Sequence, residues 1–143
     1  MHLLDVNILI ALGDPAHVHH RRVRAWFLSS ERQAWATCPL TENGFVRILG
    51  HSGYPDFAGG TEEARAALRA LTSAPGHQFW PDDVSVTDPG AFPRLSASKH
   101  LTDHYVLALA VHRGGKFATL DQRIDASLVA GGPAACFLLP EHP

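Results

Sequence analysis

Short apolar runs alternate with longer stretches of helical periodicity along this chain. Residues 2–5 (HLLD) read as a short buried strand, and residues 7–12 as a helix that Gly13-Asp14-Pro15 breaks. Residues 16–29 carry Val23, Trp26 and Phe27 at i, i+3, i+4, with Ala16, His19 and His20 extending that face backward, which predicts a second helix. Residues 34–38 predict a strand. Residues 41–49 predict a helix, preceded by Pro39, and residues 61–73 another, with Ala64, Ala67, Leu68 and Leu71 on one face. Residues 78–80 and 84–86 are short strand candidates. Residues 102–112 form a strongly apolar helix stopped by Gly114-Gly115, residues 117–120 a strand, residues 122–129 a short helix, and residues 136–139 a last strand. The glycine-rich stretch 50–60 and residues 89–94 read as loops.

Continuous apolar strands alternating with helices predict an α/β fold: one domain over residues 1–143, with a mainly parallel central sheet flanked by helices. The strand order is not legible at this level. The length suits one hydrophobic core. Apolar residues make up 45% and charged residues 18%, a globular rather than disordered composition. The net charge of −2 means that nucleic acid could be held only by a local basic patch. Cys38 and Cys136 form no Cys-x-x-Cys motif and read as buried thiols, which fits a reducing compartment. The apolar start lacks a basic leader and a cleavage site, and no run reaches the length of a membrane span. The expectation is a cytoplasmic protein.

Against this pattern four carboxylates stand out. Asp5 and Asp121 terminate strands, and ligand sites in parallel sheets open at the carboxyl ends of strands. Alternation puts Thr119 on the face of Asp121. Glu42 shares a helix face with Phe45, Val46 and Leu49, and Asp103 shares one with Val106, Leu107 and Ala110. An acid on a core-facing stripe needs compensation, which a cap or salt bridge can supply. Four acids converging on one cleft would repel one another, and a cation would relieve them. An all-oxygen donor set selects magnesium or manganese over zinc.

The segments LLDVNILIAL, CPLTENGFVRIL, HLTDHYVLALAV and FATLDQRI resemble, in order and spacing, the motifs of PIN-domain ribonucleases, and in detail those of VapC-type toxins of toxin–antitoxin pairs. The resemblance implies a Mg²⁺- or Mn²⁺-dependent endoribonuclease with a metal site of Asp5, Glu42, Asp103 and Asp121. It implies that Asn7 and Thr119 orient ligands or water, with Asp125 near a position that some members make acidic. It further implies cleavage of structured RNA such as tRNA or rRNA to 5′-phosphate and 3′-hydroxyl ends, a homodimer, and inhibition by a cognate antitoxin.

Arg47, Lys99, His100, Arg113, Lys116 and Arg123 are candidate RNA contacts, and Tyr54 and Phe57 candidate stacking residues; Trp80 reads as core. Among the ten histidines, His17 reads as exposed and His19 and His20 as partly packed; no H-E-x-x-H motif is present. Asp56, Asp82, Asp83 and Asp88 read as structural turn acids. Three alternatives stay open: a histidine-driven, metal-free ribonuclease; a phosphatase-like hydrolase using Asp5, whose partner acid would fall at Asn7; and a non-catalytic RNA- or protein-binding module of the same fold.

Overall fold

The computed structural model describes residues 1–29 and 34–141. Five strands, β1 (His2–Leu4), β2 (Trp35–Thr37), β3 (His77–Phe79), β4 (Lys116–Thr119) and β5 (Cys136–Leu138), form one wholly parallel sheet in the order β3-β2-β1-β4-β5. Register is fixed by Leu3 opposite both Ala36 and Phe117, and by Ala118 opposite Phe137. The chain leaves β1 toward one side of the sheet and later returns to β4 on the other. The crevice between the carboxyl ends of β1 and β4 is therefore the topological switch point, where open parallel sheets bind ligands.

Helices cover both faces, as an all-parallel sheet requires. On one face α1 (Val6–Gly13), α2 (His20–Leu28), α3 (Pro39–Leu49) and α4 (Gly60–Thr72) enclose a core of Leu4, Ile8, Leu9, Val23, Trp35, Phe45 and Leu49. On the other face α5 (Leu101–His112) buries five residues in succession, Val106 to Ala110, against Leu3, Ala36 and Phe117. The close approach of α3 to α1 requires Gly44: a Cβ there would lie 2.7 Å from Val6 Cγ2. A short helix, α6 (Gly132–Ala135), leads into β5.

Three expectations are corrected. The helix over 16–29 begins only at His20, because local turns use the preceding amides: Ala16 donates to Asp14 Oδ1, His17 to the Asp14 carbonyl, and His19 to His17 Nδ1. Residues 84–86 form no strand, since the sheet already ends at β3 and Ser85, Thr87 and Asp88 bond one another locally. Residues 122–129 hold only a 3₁₀ turn, Ala126–Leu128, capped by Asp125, and α6 was not foreseen. Both cysteines are free: Cys38 is buried just after β2, where burial pushes its thiol up to about 11, and Cys136 is half-buried in β5.

Candidate active site

Asp5 is the first residue beyond β1, in extended conformation at the start of α1, and is only 7% exposed. Its side chain does not cap that helix. Two side chains hold it instead: from across the crevice Thr119 Oγ1 donates to Asp5 Oδ2 at 2.5 Å, and from α1 Asn7 Nδ2 donates to the same oxygen at 2.6 Å. Asn7 also donates to Thr119 Oγ1 at 3.1 Å and accepts the Leu120 amide at 3.2 Å, while Thr119 Oγ1 accepts the Asp121 amide at 3.0 Å. The Thr119 hydroxyl therefore spends its one proton and both lone pairs inside this network. The ends of β1 and β4 are locked together by side chains where the backbone ladder runs out.

Three of the sequence-predicted acids, Asp5, Asp103 and Asp121, share the resulting cleft with Asn7, in a cavity of about 540 Å³. Burial pushes Asp5 up to about 6; the Thr119 hydrogen bond opposes this, and the nearby charges of Asp103 and Asp121 add to it. Burial likewise raises Asp103, with Asp121 as the next contributor, against relief from His100, His104 and Arg123. Asp121 is lowered, chiefly by the side-chain and backbone hydrogen bonds of Arg123. His104, in the turn of α5 after Asp103, is buried with Nδ1 2.8 Å from the His100 carbonyl and Nε2 2.9 Å from that of Asp125. It ties the start of α5 to the segment that follows Asp121.

Glu42 is placed differently. It lies in the first turn of α3, half-buried, and accepts the Thr37 hydroxyl at 2.6 Å on Oε1. It belongs to the same end of the sheet but is one strand away and is not part of the cleft lining. Asp125 is also outside the cleft, with its carboxylate accepting the Ser127 amide and hydroxyl. Among the described residues no three His, Cys, Asp or Glu side chains stand close enough to form a ready-made ion cage. The donor chemistry nonetheless suits a hard cation: oxygen-only ligands, two of them raised chiefly by burial and further by neighbouring charge, for an ion that keeps several of its own waters.

The basic candidates divide. Arg47 is exposed on α3 in a surface hollow shared with Ile48, Tyr54 and Pro55, which also border the main cleft. Lys99 is exposed in the turn (Ser98–His100) leading into α5, at the helix end that carries Asp103. Arg123 is bonded to Asp121 at 3.0 Å. Arg113 and Lys116 are at the opposite end of the molecule: Arg113 follows the last turn of α5 and pairs with Asp83, and Lys116 opens β4 and donates to the Ala134 carbonyl. Parallel strands separate those two from the cleft by the length of β4.

The cleft also contains residues that sequence reasoning assigned elsewhere. Asp14, His17 and Asp56 line it, although Asp56 read as a turn acid and His17 as exposed. Tyr54, a stacking candidate, is on the wall with its hydroxyl donated to Asp14 at 2.6 Å and its ring edge-on to Phe57. Asp14 and His17 come from the connection after α1, and the 50–60 loop brings Tyr54 and Asp56 to the same cleft. Trp80 is core, as its pattern suggested.

Residues 2–127 match the PIN domain family. This chain belongs to the PIN domain family. As a PIN domain it is similar to ribonuclease VapC39 of Mycobacterium tuberculosis, 44% identical over 131 residues that cover 90% of this chain and 94% of the relative. It is also similar to ribonuclease VapC38 of the same species, 44% identical over 121 residues covering 85% of each, and to ribonuclease VapC44, 42% identical over 131 residues covering 90% and 92%. Among solved PIN-fold structures, that of M. tuberculosis VapC20, described as a sarcin-ricin loop cleaving toxin, superposes with a TM-score of 0.62 over 91% of this chain and 97% of its own; at 13% identity it bears on the fold alone. Asp5, Asn7, Thr119 and Asp121 of this PIN domain meet at the sheet's switch point.

Proposed function

We propose that this protein is an endoribonuclease of the VapC type, the toxin of a toxin–antitoxin pair, that hydrolyses RNA phosphodiesters with Mg²⁺ or Mn²⁺. The observation that carries the reading is the Asp5–Asp103–Asp121 group: like charges gathered at one cleft, with Asp5 raised to about 6 and held in place by two dedicated donors. The extensive similarity to ribonucleases supports the reaction class, and it sets aside the phosphatase-like alternative. Asn7, where that chemistry would need an acid, is instead an amide donor to Asp5.

Asp5, Asp103 and Asp121 are the residues that would hold the ion, with Glu42 joining from the first turn of α3. When bound, such an ion neutralises the phosphate and lowers the pKa of an attacking water. Asn7 and Thr119 keep Asp5 Oδ2 fixed, so this carboxylate does not have to reorganise as substrate arrives. Arg123 restrains Asp121, and its exposed guanidinium is also available to an approaching phosphate. Arg47 and Lys99 flank the cleft as further cationic contacts. The partners in this reading are structured RNA such as tRNA or rRNA, a cognate antitoxin and a second copy of the chain, and the setting is the cytoplasm. No helix among the described residues is long and apolar enough to cross a membrane.

The deciding experiment incubates total RNA with wild type and Asp5→Asn, with and without Mn²⁺, and maps the ends of the products. Wild type is expected to leave 5′-phosphate and 3′-hydroxyl ends only when the ion is supplied, and Asp5→Asn to leave RNA intact. Cleavage insensitive to EDTA, or 2′,3′-cyclic phosphate ends, would overturn the reading in favour of a histidine-driven reaction. Binding of RNA without cleavage in either ion would leave a non-catalytic binding module.

A further inference from the structure

We propose that His77 is a positioning residue for Glu42, acting at second hand through the hydroxyl of Thr37. The inference rests on the functional reading above, in which Glu42 joins the acidic site.

His77 opens the edge strand β3 and is paired in register with Trp35, so its side chain shares a sheet face with Trp35 and Thr37 on β2. Its ring packs on that of Trp35, with centroids 4.6 Å apart. His77 Nε2 is 2.8 Å from Thr37 Oγ1, and Thr37 Oγ1 is 2.6 Å from Glu42 Oε1. Thr37 is fully buried, so solvent offers its hydroxyl no substitute partner.

The direction of this chain follows from proton counting. An ionised carboxylate can only accept, so the single hydroxyl proton of Thr37 is committed to Glu42. Thr37 must then accept from His77, which places a proton on Nε2 of the ring. Burial holds the His77 pKa below its ordinary range, with the charge of Glu42 pulling the other way, so the ring serves as a neutral N–H donor. A hydroxyl that accepts one hydrogen bond donates a stronger one, and two linked bonds restrict rotation about Thr37 and Glu42 together. Glu42 is thereby anchored to β2 through Oε1 and can offer an ion or its water one oxygen rather than two. The catalytic motifs contain no trace of this arrangement: His77 lies 35 positions after Glu42, counting 77 − 42, on a strand that carries none of the acids.

The test is a double-mutant cycle read by calorimetric titration with Mn²⁺ alone and by RNA cleavage rate against Mn²⁺ concentration. His77→Leu removes the donor; His77→Gln retains an N–H at comparable reach. Loss of an outer-shell partner typically weakens metal affinity by about 10-fold or more. His77→Leu is expected to show a loss on the order of 10-fold, His77→Gln to recover most of it, and Thr37→Val to match His77→Leu. In a Glu42→Ala background, His77→Leu is expected to cause no further loss. An equal loss in both backgrounds would overturn the proposal by making His77 merely structural, and so would wild-type titration of His77→Leu. Should Glu42→Ala itself bind Mn²⁺ normally while Asp5→Asn does not, the role of Glu42 fails while the nuclease reading stands. If Asp5→Asn also binds and cleaves normally, the acidic site at the β1–β4 crevice fails as the ion site, and if wild type binds RNA without cleaving it in either ion, the nuclease reading itself fails.

Discussion

The hydroxyl of Thr119 donates to Asp5 Oδ2 at 2.5 Å, joining residues 114 positions apart at the ends of adjacent strands. This bond favours the ionised form of Asp5, against burial and two neighbouring acids. Thr119→Val is expected to raise the Asp5 pKa further above 6 and to move the acid limb of the cleavage–pH profile to higher pH. A hydrogen bond to a charged group is worth about 1.5–3 kcal/mol, so stability at neutral pH is expected to fall by that order. Thr119→Ser keeps the hydroxyl and should restore both. NMR titration of the Asp5 carboxyl and thermal unfolding would check the pair.

The ion-free protein should become less stable as pH rises from about 4 to 6. Asp5 has a folded-state pKa near 6, above the ordinary value of 3.8. Between those values the folded state binds more protons than the unfolded state, so raising pH favours unfolding. The contribution is complete above the folded pKa and absent below the unfolded one. A shift of this size corresponds to roughly 3 kcal/mol. Asp121, lowered by Arg123, acts in the opposite sense, losing stability as pH falls through its folded pKa. Urea titrations across this range, with and without Mn²⁺, would test it: added ion should flatten the Asp5 dependence.

Asp5→Asn is expected to separate stability from activity. The amide removes a buried charge and its repulsion with Asp103 and Asp121. The ion-free variant should be more stable than wild type at pH 7 by about 1–3 kcal/mol and unfold at a higher temperature, while cleavage is abolished. Calorimetry should show the wild type gaining more thermal stability from Mn²⁺ than the variant does.

Gly44→Leu is expected to be among the most damaging single changes outside the acids. Even its Cβ would meet Val6 Cγ2 at 2.7 Å, forcing α3 off α1 and pulling Glu42 away from Asp5. Gly44→Ala should cost about 1–3 kcal/mol, the range for overpacking a core contact, and the leucine more. Chemical denaturation would give the values.

Arg47→Ala should weaken RNA binding and lower the salt slope by about 1, as for one lost phosphate contact. Lys116→Ala should change neither, because that side chain caps the Ala134 carbonyl at the far end of β4. Filter binding with a cleavage-silent Asp5→Asn background across a salt series would discriminate the two.

The sequence alone determined the parts that depend on local periodicity. Alternating apolar runs and helical stripes declared a parallel α/β sheet, and Asp5 and Asp121 were legible as strand-end acids because a carboxylate interrupting an apolar run is a local signal. Asp103 was legible because an acid facing Val106, Leu107 and Ala110 breaks a pattern within three turns of one helix. Tertiary structure decided what depends on distant segments meeting: the strand order that puts β1 beside β4, the Asn7–Thr119–Asp5 lock, and the entry of Asp14, Tyr54 and Asp56 into the cleft. It also removed Arg113 and Lys116 from the site and tied Glu42 to Thr37 and His77. Periodicity records which face of an element is buried, but not which element lies opposite. That choice is made by packing and hydrogen bonds between residues as far apart as Asp5 and Thr119.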